Sequence, residues 1–251
     1  HTLSPYALTG QTAIAAITNG NSGSIATLLI HPGKRFRTSE SESSEESRDT
    51  GRFQRILEIL FAAVALILSA PLMFLISVLI RLDSKGPAVF QQWRVGKDGR
   101  LFRFRKFRTL YADSRERFPH LYAYKYTEDE IRRLQFKVQR DPRVTRVGQW
   151  LRDSTLDELP NFWNVLTGDM ALVGPRPEIP EMLAYYDERG QRKFCVRPGV
   201  TGLAQISGRG RLRFYETLEY DLEYVEKKSF LLDVKILFFT VAKVLVRDGA
   251  F

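Results

Sequence analysis

The sequence predicts an α+β protein, mainly helical: a membrane-inserted re-entrant helix, then a compact cytosolic domain with a small β-hairpin and interfacial amphipathic helices. Three features predict it. Residues 56–80 form an apolar run whose only polar members are Glu58, Ser69 and Ser77. Two strand-like stretches flank a turn bounded by Gly96 and Gly99. Apolar residues then recur at helical spacing through the last third of the chain.

The elements follow in order. Residues 1–50 read as a disordered leader or linker, because the run from Thr38 to Ser47 is polar, acidic and without a core-forming side chain. Residues 51–82 read as the membrane segment. As a straight helix, its apolar run would extend about 38 Å at about 1.5 Å per residue, enough to cross a hydrocarbon layer of about 30 Å. Two features favour re-entry over a kinked span. Pro71 removes a hydrogen bond to the Ile67 carbonyl in mid-helix, where Ser69 can satisfy part of the broken ladder. Basic residues also lie on both flanks, Arg52 and Arg55 before and Arg81, Lys85 and Arg94 after, which places both ends on the same side. A helix–break–helix around Ser69 and Pro71 meets both conditions.

Residues 83–251 make up the cytosolic domain. Ala88-Val89-Phe90 and Leu101-Phe102-Arg103-Phe104-Arg105 give the hairpin; residues 111–140 are charged, Tyr-rich and partly helical. Tyr215, Leu218, Leu222 and Val225 mark a helix. From Phe230 to Val246 apolar residues dominate, with Asp233, Thr240, Lys243 and Arg247 on one narrow stripe. A core helix and a helix lying in the membrane interface both account for this stripe; the predicted architecture takes the interfacial one.

Composition narrows the chemistry. The net charge is +9, and the first 50 residues hold four Lys/Arg against five Asp/Glu, so the remainder is more basic still. Such a body attracts a polyanion: nucleic acid, an acidic lipid surface or a phosphorylated substrate. Cys195 is the only cysteine and the three histidines are scattered, which excludes an intrachain disulfide and leaves almost no material for a Cys- or His-based metal site or a His-centred triad.

Three stretches carry candidate chemistry. Arg94, Lys97, Arg100, Arg103, Arg105, Lys106 and Arg108 face the single acid Asp98, as a basic lipid-facing surface, as a phosphate cradle or, with aromatics interleaving the charges, as a nucleic-acid groove. In Ser154-Thr155-Leu156-Asp157-Glu158-Leu159-Pro160, Thr155-x-x-Glu158 resembles a capping box, placing both carboxylates at a helix N-terminus that would hold Asp157 ionised. An ionised carboxylate can serve as a nucleophile on phosphorus, and its neighbour can help hold Mg2+. A plain helix cap is the commoner use of such a pair. Arg176, in Gly174-Pro175-Arg176-Pro177, and Arg197, in Arg197-Pro198-Gly199, are stiffened by prolines, which lowers the ordering cost of binding phosphate.

Taken in order, the bent apolar helix, Lys106-Phe107-Arg108, Asp141-Pro142-Arg143-Val144-Thr145-Arg146-Val147-Gly148, Leu156-Asp157-Glu158-Leu159-Pro160, Asn164-Val165-Leu166-x-Gly168-Asp169-Met170, Gly174-Pro175-Arg176-Pro177 and Val196-Arg197-Pro198-Gly199-Val200-Thr201-Gly202 resemble the bacterial sugar transferases, the monotopic polyprenyl-phosphate phosphoglycosyl transferases. The resemblance runs from about Arg52 to the C-terminus. It implies a ping-pong reaction at the bacterial inner membrane, with the catalytic domain on the cytoplasmic face. Asp157 would attack the β-phosphate of a UDP-sugar and expel UMP; polyprenyl phosphate would then take the phosphosugar. It implies Mg2+ held by Asp157 with Glu158 in support, and phosphate contacts from Lys106, Arg108, Arg152, Arg176 and Arg197. Gln205 and Asp169 would serve substrate contact or architecture. Two departures stand out: Ala70 separates Ser69 from Pro71 where many members join them, and the leader has no match in short members.

The partners expected are a UDP-sugar, polyprenyl phosphate and membrane lipids, with no nucleic acid; a homo-oligomer is left open. A non-catalytic basic adaptor on the membrane surface, binding anionic lipid or nucleic acid, would explain the charge but not the order of the motifs. A transferase acting through a ternary complex, its carboxylates binding metal only, is the other rival.

Overall fold

The computed structural model describes residues 14–17, 26–29, 46–135, 141–208 and 211–246. Within the first 45 residues, β1 (Ile14–Ile17) and β2 (Ala26–Leu29) pair antiparallel, Ile14 opposite Leu29. The remainder of the predicted leader up to Glu45 lies outside the described residues.

α1 (Glu46–Asp83) starts ahead of the expected Gly51 and runs without interruption through Pro71. The predicted break is therefore not a break in the helix. Pro71 lacks one amide donor, but its neighbours keep their turns; Ser69 Oγ turns back to the Leu66 carbonyl at 3.4 Å and Ser77 Oγ to the Met73 carbonyl at 2.7 Å. The stretch Gly51–Asp83 is long and apolar enough to cross a membrane.

What α1 touches is informative. Ala62 joins a core with Phe102, Phe104, Val165, Met170 and Tyr224, while Ile76 and Ile80 join another with Ala88, Phe107 and Leu151. Between them Ile67, Leu68 and Phe74 are 72%, 75% and 73% exposed. Both ends of the helix thus rest on one body, and its middle is bare.

The hairpin is present as expected: β3 (Val89–Val95) pairs antiparallel with β4 (Leu101–Phe107), Val89 opposite Phe107. Its turn needs left-handed backbone at Asp98 (φ 56) and Gly99 (φ 75). α2 (Ser114–Arg117) and α3 (Glu128–Arg133) occupy the Tyr-rich stretch, and α3 opens on a capping box of Thr127 and Glu130. α4 (Arg146–Ser154) contacts the C-terminal part of α1, and α5 (Asn161–Thr167) the N-terminal part. Gly148 on α4 lies against the Thr109 backbone, where any side chain would collide.

β5 (Ala171–Val173) and β6 (Gly199–Thr201) form a parallel pair, Ala171 opposite Gly199 and Val173 opposite Thr201. It joins the two Pro-fixed arginine motifs back to back, and a methyl group on Gly199 would strike the Gly174 amide. α6 (Leu203–Gly208), α7 (Phe214–Lys227) and α8 (Phe230–Val246) complete the domain.

The polar stripe of α8 faces inward. Asp233 is buried and accepts from Tyr224 Oη at 2.8 Å, Thr240 meets the Thr201 hydroxyl at 2.7 Å, and Lys243 donates to the Ile206 carbonyl. Arg247 lies outside the described residues. The opposite face leaves Leu231 78% and Phe238 70% exposed. α8 is therefore a core helix on one side, with an uncovered apolar face on the other.

Candidate active site

The site is built where β4, the link from α4 to α5, and the Gly174–Pro177 loop converge. Its centre is a 3-10 turn, Leu156–Glu158. The predicted capping box at Thr155 does not form. Thr155 adopts left-handed backbone (φ 58), closes α4 by donating its amide to the Arg152 carbonyl, and turns its hydroxyl to Ser154. The carboxylates consequently sit between two helices rather than at the dipole end of one. Leu156 and Leu159 on either side pack into the core shared with Ile76 and Ile80 of α1, so the carboxylates lie beside that helix.

The electrostatics change accordingly. Asp157 is 7% exposed, and burial raises its carboxyl from 3.8 to about 6 against the pull of Lys106; Glu158 pushes the same way as burial. The expectation that a helix dipole holds it ionised fails for that reason. Lys106, on β4, takes over that role: its Nζ stands 3.9 Å from Asp157 Oδ2. Burial lowers the Lys106 ammonium to about 8, with Asp157 opposing and Arg152 and Arg176 reinforcing.

Arg176 Nη1 contacts Glu158 Oε1 at 2.7 Å, and that carboxylate holds the guanidinium above its usual range. Arg152 is fixed by Thr109, whose hydroxyl lies 3.2 Å from Nε, and by Asp141 at 3.8 Å. Burial lowers Arg152, and Asp141 and Asp157 oppose that. Asp141 itself takes a bidentate grip from Arg143, both contacts at 2.8 Å. Asp157, Glu158, Lys106, Arg152 and Arg176 are thus neighbours in one cluster.

Four predicted residues are placed elsewhere. Arg108 spends its guanidinium on the end of α1, donating to the Pro87 carbonyl at 2.7 Å and to the hydroxyl and carbonyl of Ser84, each at 2.8 Å. Arg197 donates to the Gly168 carbonyl at 3.1 Å, past the end of α5. Asp169 accepts from Thr167 Oγ1 at 2.7 Å in the same turn, which gives it an architectural place. Gln205 donates to the Val200 carbonyl at 3.1 Å, and its buried Oε1 has no hydrogen-bond partner among the described residues.

Several supports escaped the sequence reading. Asn164 clasps β4, accepting from the Arg105 amide at 3.1 Å and donating to the Arg103 carbonyl at 2.8 Å, and so registers the strand that carries Lys106. Arg94 donates to the Pro177 carbonyl at 3.0 Å behind Arg176. The place of Asp141-Pro142-Arg143 among the ordered motifs is the one sequence signal for the Asp141 clamp.

Adjacent carboxylates under a lysine and two arginines are seated against an apolar helix with uncovered middle turns, an arrangement whose cations can receive phosphate oxygens. Residues 50–247 match the family of bacterial sugar transferases, and the chain belongs to it. It is 38% identical over 198 residues to the galactosyl transferase CpsE of Streptococcus agalactiae, covering 78% of this chain and 43% of that protein. Against the undecaprenyl-phosphate galactose phosphotransferase of Salmonella typhimurium the identity is 38% over 210 residues, 82% of this chain and 43% of that one. The exopolysaccharide production protein ExoY of Rhizobium meliloti is 36% identical over 201 residues, 80% of this chain and 89% of its own. The chain thus spans less than half the length of the first two relatives and most of the third.

Proposed function

We propose that the chain transfers a phosphosugar from a UDP-sugar to a polyprenyl phosphate such as undecaprenyl phosphate. The reaction releases UMP, leaves a polyprenyl diphosphate sugar and begins a polysaccharide or glycoconjugate. Asp157 carries this reading, as a buried carboxylate held 3.9 Å from an ammonium in a turn beside the membrane helix. The names of the Salmonella typhimurium relative and of an undecaprenyl-phosphate glucose phosphotransferase from Komagataeibacter xylinus support the acceptor.

Asp157 attacks the β-phosphorus of the donor; the bond to the bridging oxygen breaks and its electron pair leaves with UMP. An oxygen of the acceptor phosphate then attacks the same phosphorus and returns the carboxylate. Lys106, Arg152 and Arg176 balance the phosphate charge in a setting where burial strengthens each contact. Among the described residues no third His, Cys, Asp or Glu joins the pair to form a metal cage. Two neighbouring carboxylates suit Mg2+, which binds through one or two carboxylates plus substrate phosphates. Held by Asp157 and Glu158, it would neutralise diphosphate charge.

The membrane reading rests on surfaces. α1 docks both ends on one body, which suits a helix that re-enters by bending at Pro71 while keeping its turns, and α8 turns polar groups inward and apolar groups outward, which suits an interfacial helix. A nucleotide-sugar donor taken from the cytosol would put the site on the cytoplasmic face of the inner membrane. Incubation with labelled UDP-sugar and Mg2+, omitting acceptor lipid, tests the chemistry. Label should be trapped on the protein and lost in Asp157→Asn; UMP released only when polyprenyl phosphate is added would favour direct transfer instead.

A further inference from the structure

A buried polar chain runs behind the Arg176 loop. Asp221 on α7 pairs with Lys193 at 3.0 Å, their side chains 1% and 3% exposed. Lys193 Nζ donates to the Tyr186 hydroxyl at 3.3 Å, and that hydroxyl donates to Glu178 Oε2 at 2.8 Å. The other Glu178 oxygen accepts from the Ile179 amide at 3.0 Å, and its carbonyl accepts from the Val95 amide at 2.8 Å. Two residues before Glu178 stands Arg176, 2.7 Å from Glu158.

None of Glu178, Tyr186, Lys193 and Asp221 has a part in the proposed transfer. A buried ion pair adds little net stability, since desolvation offsets most of its attraction and apolar side chains of equal volume often serve as well. Its geometric consequence is larger. The Tyr186 ring is packed by Phe214 and Phe194, with centroids 5.0 and 5.5 Å away, so its hydroxyl is aimed. The chain therefore ties a 14-residue helix to the backbone that presents Arg176.

We infer that Tyr186 and Lys193 are positioning residues: through Glu178 they fix where Arg176 offers its guanidinium to Glu158 and to donor phosphate. The inference rests on the transferase reading and adds residues that act through another rather than touching substrate.

Tyr186→Phe keeps the ring and removes the link. The full chain in lipid nanodiscs would be compared with this variant in two ways. One is amide hydrogen exchange over residues 174–179; the other is steady-state transfer from UDP-galactose and UDP-glucose to undecaprenyl phosphate. Exchange in that segment should rise about tenfold, and kcat should fall about tenfold, with KM for the lipid unchanged. Unaltered exchange, exchange raised equally across all segments, or raised exchange with wild-type kcat would each overturn the inference. If wild type uses neither donor and no other UDP-sugar, the transferase reading falls while exchange still decides whether the link holds the loop. Glu178→Gln, of the same size, carries the same comparison should Tyr186→Phe fail to fold.

Discussion

Lys106 Nζ stands 3.9 Å from Asp157 Oδ2, and burial moves their ionisation in opposite directions, the carboxyl up to about 6 and the ammonium down to about 8. A nucleophilic Asp157 must be ionised, and Lys106 must be protonated to balance phosphate. The donor kcat/KM should accordingly rise with pH through about 6 and fall through about 8. Lys106→Met should abolish the alkaline limb and move the acid limb upward, because the ammonium is what lowers Asp157. It should also reduce kcat/KM by about a hundredfold. An acid limb left in place by this substitution would count against the pairing.

The same burial has a cost in stability. Asp157 binds its proton more tightly folded than unfolded, so its contribution is fully present below 3.8 and is lost as pH rises to about 6. At about 1.4 kcal/mol per unit, the loss approaches about 3 kcal/mol. Asp157→Asn cannot ionise and should lack this slope. Denaturant titrations of both proteins from pH 4 to pH 8 should show the variant gaining on wild type up to about pH 6 and holding its lead above it.

The outline of this site was legible in the sequence, whereas its electrostatics were not. Residues 56–80 declared a membrane-type helix by composition, the hairpin by its Gly-bounded turn, and the Asp157–Glu158 pair by its place among ordered motifs. Which arginine serves the site depends on what each guanidinium meets. Arg108 and Arg152 are the same residue type, yet one meets Ser84 and the other Asp141. The β5–β6 pair escaped because each strand has three residues inside Gly- and Pro-rich motifs that read as turns. The raised Asp157 follows from burial, and the left-handed backbone that keeps Thr155 from capping has no mark in its residue type.

Arg108 and Arg176 should therefore part company under mutation. Three short hydrogen bonds tie Arg108 to Ser84 and Pro87, and a hydrogen bond to a charged group is worth about 1.5–3 kcal/mol. Arg108→Ala should lower the unfolding free energy by at least about 2 kcal/mol while kcat per folded molecule stays near wild type. Arg176→Lys should do the reverse: a near-normal melting temperature with kcat/KM reduced about a hundredfold, since an ammonium cannot hold Glu158 and phosphate in the fork geometry. Thermal melts beside initial rates separate the two outcomes.

The last prediction concerns α1. A helix crossing the bilayer would place Gly51 and Lys85 on opposite faces; a re-entrant one returns both to the cytoplasm. Re-entry is favoured because Arg55 reaches the Met170 carbonyl at 3.1 Å while Asp83 accepts from the Val147 amide at 3.1 Å, two anchors on one domain at the two ends of the helix. Single cysteines at Gly51 and Lys85, in a background with Cys195→Ser, should both resist a membrane-impermeant maleimide in intact spheroplasts and both react in inverted vesicles. Protection of one and labelling of the other in the same preparation would establish a span. Pro71→Ala separates the proline from the anchors. Since Arg55 and Asp83 fix the ends independently of Pro71, the labelling pattern should survive that substitution.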